Sequence, residues 1–135
     1  MGMEVRELEE LCRRKHRQSL LLIEASDLTK QLEEALNRKD EVSMQMLMEM
    51  REAPLHGMRE IEAGIETYLL SLPESSAIRG KALLCGGAVE EAAEEPLYEE
   101  VAKYRRLLSS VIERDREISI RLGGEKSFYN KIRTS

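Results

Sequence analysis

An all-α fold is predicted: an elongated antiparallel helical bundle, or coiled-coil hairpin, of three long helices with a short connecting helix. Three observations lead there. Apolar residues recur at helical spacing through three long segments, with Leu97, Tyr104, Val111 and Ile118 seven apart in the last of them. Only three prolines interrupt a chain rich in Glu, Leu, Arg, Lys and Ala, residues that lose little on entering a helix. No stretch sustains the polar and apolar alternation of a strand.

The first helix is expected from Glu4 to about Arg38, with Leu8, Leu11, Leu22, Ala25, Leu32 and Leu36 on one stripe. Lys15 and Gln18 fall where that stripe asks for apolar side chains, which weakens its early part. Asn37–Asp40 forms a polar break, and the Asp40 carboxylate can cap the next helix by accepting from a free backbone N–H.

The second helix follows from Glu41 to about Leu72, burying Met44, Leu47, Met58, Ile61, Ile65, Tyr68 and Leu72. Pro54 sits on that stripe and removes one backbone donor, so a kink or break is expected near Arg51–Pro54. Pro73–Ser76 stops the helix, and Ala77–Leu84 forms a short one that Gly86 and Gly87 end. Glutamates crowd Gly86–Glu100 without a basic residue, so the connection at about 85–96 is expected to be flexible. Pro96 suits the first turn of the last helix, which Gly123 and Gly124 terminate before a basic tail, 123–135. The reading is one helical domain over 1–135, with no repeat of solenoid length.

Composition narrows function by exclusion. Net charge is −5, whereas binding to phosphate backbones draws on clustered Lys and Arg, so no nucleic-acid partner is expected. The unbroken apolar runs, such as Leu20–Ile23, are far short of the roughly 20 residues that cross a bilayer, and no stable membrane insertion is expected. Cys12 and Cys85 are too isolated to frame a disulfide scaffold, and no signal-peptide pattern opens the chain, which suggests free thiols in the cytoplasm.

Candidate chemistry is thin. Cys12 and His16 stand four apart on one helix face, as do Glu52 and His56, but two ligands do not make a metal site. The Glu-x-x-His pairs of carboxylate di-iron bundles are missing, as are GxSxG and the phosphate-binding GxxxxGK[ST] loop. No catalytic, cofactor or metal site is expected, and the protein reads as a non-enzyme. The basic run Arg13–Arg17 reads as a solvated helix face.

What remains is surface. Met44, Met46, Met48, Met50 and Met58 give the second helix a high density of flexible thioethers, which suit faces that repack around apolar partners. Met46, Met48 and Met50 alternate, so one neighbouring helix cannot cover all three. The candidate partner-binding residues are Met46 and Met50, Ile118 and Leu122 late in the last helix, and Phe128, Tyr129 and Ile132 in the tail.

The layout resembles the FlgN class of flagellar type III export chaperones: a long first helix, a second opened by NRKDEVSMQMLMEMR, and a last helix ending in ERDREISIRLGGEKSFYNKI. The resemblance covers most of the chain and is one of pattern, with no catalytic motif in it; Val89–Glu95 and Pro54 depart from it. It implies a cytoplasmic, non-enzymatic chaperone that keeps flagellar hook-associated proteins soluble and delivers them to the export apparatus. The alternative reading is a homodimeric coiled-coil structural or regulatory adaptor whose stripes are consumed by self-association.

Overall fold

A computed structural model describes residues 2–123. Every regular element among them is helical: α1 (Val5–Asn37), α2 (Glu41–Leu70), α3 (Glu74–Leu84) and α4 (Glu95–Leu122), with a 3-10 turn at Ala92–Glu94. The all-α bundle expected from the periodicity is what forms.

The described residues gather into two compact units, 2–20 with 60–105, and 21–59 with 106–123. In the first, Leu8 and Leu11 of α1 meet Ile65 and Leu69 of α2, Leu83 of α3, and Leu97 and Val101 of α4. A Cβ on Gly80 would lie 2.8 Å from Leu69 Cδ2 and 3.3 Å from Leu11 Cδ1, so the missing side chain lets α3 sit close against α1 and α2. In the second unit Leu28, Leu32 and Ala35 of α1 pack with Leu47 of α2 and Ile118 of α4.

The turn between α1 and α2 is built as its polar residues suggest. Lys39 takes a left-handed φ of 58°. Asp40 then accepts from the Ser43 backbone N–H at 3.1 Å and from the Ser43 hydroxyl at 2.6 Å, capping α2.

Two expectations change. Of the kink or break expected near Pro54, the break does not occur: α2 runs on through Pro54, which is buried beside Leu55, so one missing backbone bond is tolerated where packing holds the helix. The connection at 85–96 is pinned rather than loose. Gly86 turns the chain with φ 92°, and Glu94, only 1% exposed, accepts two hydrogen bonds from Arg79, at 2.8 and 2.7 Å. The Glu90 N–H also donates to Glu94, at 2.9 Å. The basic partner for the glutamates comes from α3, outside the acidic run.

Candidate functional site

Helix α2 carries apolar residues on more than one side. In its second-unit part, Leu47, Leu55 and Met58 face the core. Positions four apart stack on one helix face, and Val42, Met46 and Met50 make such a row that is open to solvent, at 80%, 54% and 51% exposure. Met44 and Met48 are half-buried against the second core cluster. Of the alternating methionines, Met46 and Met50 therefore face outward, as the spacing requires of at least some. Val42 belongs to the same row, and its i, i+4, i+8 relation to the methionines was the signal that could have found it.

The other candidates divide. Leu122 is half-exposed on α4. Ile118 is not a surface residue: it has no exposure and packs among Leu28, Leu32 and Leu47, because it lies one heptad beyond the buried Val111. It belongs to the core rather than to a partner surface. Phe128, Tyr129 and Ile132 lie outside the described residues. The structure thus places Met46 and Met50 together on α2 and Leu122 on a different helix.

Two clefts described in the structure fall in the first unit. One, of about 620 Å³, opens between the end of α2 and the face of α3; Leu69 and Leu72 form its floor, and Leu70 and Ile78, 88% and 62% exposed, its edges. Leu70 follows the buried Leu69, and adjacent helical residues cannot both face one core, a signal present in the sequence. The other cleft, of about 590 Å³, lies between the starts of α1 and α4 and includes Leu8, Cys12, His16, Pro96 and Leu97. Within it His16 Nδ1 is 3.2 Å from Glu100 Oε1. Burial pushes the Cys12 thiol up, which disfavours the thiolate needed for nucleophilic attack or metal ligation. Among the described residues no three Cys, His, Asp or Glu side chains group as a metal site would need.

Several polar residues on the buried stripes find partners across helices. Lys15 donates to Gln18 at 2.9 Å, and Gln18 donates to Glu62 at 2.9 Å. The Lys15 ammonium also lies 3.8 Å from the centre of the Tyr104 ring. In the second unit Arg51 and Asp115, 4% and 0% exposed, form a bidentate pair.

No described helix is long and apolar enough to cross a membrane. Compared with protein-family models, curated proteins and solved structures, the chain matches none.

Proposed function

We propose that the protein is a binding protein for amphipathic helices, and that its clients are flagellar hook-associated proteins kept soluble in the cytoplasm for type III export. The observation that carries the binding part is the exposed row Val42, Met46, Met50, set on a helix whose other side is already occupied by the core. An unassembled filament protein has terminal helices with an uncovered apolar face, and flexible thioethers accommodate such faces with little demand on exact shape. The export part rests on the resemblance of the helical layout to FlgN-type chaperones. In this role the protein works by binding alone, with no reaction and no cofactor.

The test is titration of the full chain with the terminal segment of a hook-associated protein, followed by calorimetry and by sedimentation. A one-to-one complex that weakens about tenfold in the Met46→Ser, Met50→Ser double variant is expected. Absence of any complex overturns the reading. The same exposed row would equally serve a homodimeric adaptor, and a mass of two chains without client, reduced to one chain by the same double variant, selects that role instead.

A further inference from the structure

We infer that the cleft between α2 and α3 in the first unit is a second docking site, one that takes a short amphipathic helix bearing large aliphatic residues flanked by Lys or Arg. Its residues are distinct from the methionine row, so it stands or falls without the export reading.

Leu70 at 88% and Ile78 at 62% are among the most exposed large aliphatic side chains described, and they border a floor of Leu69 and Leu72. Scattered single apolar residues are ordinary on a surface, but two large ones edging a shared groove leave a contiguous patch in water. A groove between two helices receives a third helix through residues at i, i+3 or i+4, and i+7.

Charge and size select the occupant. Glu66 on α2 and Glu74 in the first turn of α3 are exposed at the rim, with Lys81 at the far end of α3. Two acids against one base, on a chain of net charge −5, favour a segment with basic flanks and disfavour a second copy of the same acidic surface. The cleft has few wall residues, whereas a stable interface between two folded proteins engages roughly 20–30 residues on each side. A segment of a few helical turns matches that footprint.

The probe is a fluorescent peptide of about four helical turns with Leu along one face and Lys beside it, read by anisotropy against the full-length protein. A matched peptide with Glu in place of Lys is the charge control. Saturable one-to-one binding of the Lys peptide is expected, with the Glu peptide at least about tenfold weaker. Leu70→Ser with Ile78→Ser should weaken the Lys peptide about tenfold, with an unchanged circular dichroism spectrum because both side chains are exposed. Lys81→Glu should tighten it about threefold, and Met46→Ser with Met50→Ser should leave it unchanged. Equal binding of both peptides, indifference to Leu70→Ser with Ile78→Ser, or a dimer that those substitutions dissociate overturns the inference.

Discussion

Arg79 of α3 grips both carboxylate oxygens of Glu94, with Nε to Oε2 at 2.8 Å and Nη2 to Oε1 at 2.7 Å, while Nη2 also donates to the Ala88 carbonyl at 2.7 Å. One guanidinium thereby ties α3 to the segment that leads into α4. Glu94 joins Glu91 in a reciprocal capping arrangement at the 3-10 turn, so the same carboxylate also serves backbone donors.

The Arg79 hydrogen bonds hold the Glu94 carboxyl at about 2, against an ordinary 4.5. Because the folded state depresses this value, the stabilisation is full above about pH 5 and is lost as pH falls toward 2. At neutral pH its upper size is about 3 kcal/mol, from 1.36 kcal/mol per unit. Glu94→Gln is expected to lower stability by about 2–3 kcal/mol at pH 7, and the gap from the parent should narrow on acidification. Urea denaturation across pH 7 to 2 checks both points; a gap that does not change with pH would mean that the carboxylate charge contributes nothing.

In the first unit, burial pushes the Tyr104 hydroxyl up to about 12 and lowers the Lys15 ammonium that lies on its ring. A raised acid keeps its contribution below the unfolded value near 10 and loses it as pH rises toward 12. Burial also raises the Tyr68 hydroxyl, so ultraviolet titration of the phenols should show a late component near 12 that shrinks by one phenol in Tyr104→Phe. That variant should also lose less stability than the parent between pH 10 and 12.

Much of this architecture is legible in the sequence because helical period and turn chemistry are local signals. Leu8, Leu11, Leu22, Ala25 and Leu32 of the first stripe are buried as their spacing indicates, with Leu36 half-buried at its end, and Asp40 begins a helix and Gly86 ends one for reasons carried by single residues. What stayed hidden are polar pairings across large sequence separations. Lys15 and Gln18 read as defects in a stripe because Glu62 and Tyr104, which accommodate them, come from other helices. The acidic run read as a free connection because Arg79 lies outside it. The surface was legible only in part: residue spacing turns Met46 and Met50 outward, but the same heptad that made Ile118 conspicuous also buries it.

That last distinction is measurable. Met46→Ser and Met50→Ser remove side chains already half in water and should change stability by no more than about 0.5 kcal/mol each. Ile118→Ala opens a cavity among Leu28, Leu32 and Leu47 and should cost about 2–5 kcal/mol. Urea midpoints of the three variants compare them directly. A stability loss at Met46 equal to that at Ile118 would place the methionine row in a core.

The buried pair of the second unit makes a sharper demand. Arg51 Nη1 and Nη2 meet the Asp115 oxygens at 3.0 and 2.7 Å, yet Arg51 Nε, also buried, has no hydrogen-bond partner in the described structure. Burial pushes the Asp115 carboxyl up against the opposing pull of Arg51, so the ion pair only partly offsets the cost of removing both charges from water. Breaking it from one side strands a charge: Arg51→Met or Asp115→Leu alone should cost about 3–5 kcal/mol. The double variant removes both charges and fills the space with apolar atoms, so it should recover most of that loss and lie within about 1 kcal/mol of the parent or above it. Both positions lie on the stripes that build the core, and we propose that the pair favours the alignment that brings α2 and α4 into register. The double variant should accordingly keep its helicity while its unfolding transition broadens. A double variant as unstable as the sum of the singles would show that the two residues act separately, and that the contact between them does not set the register.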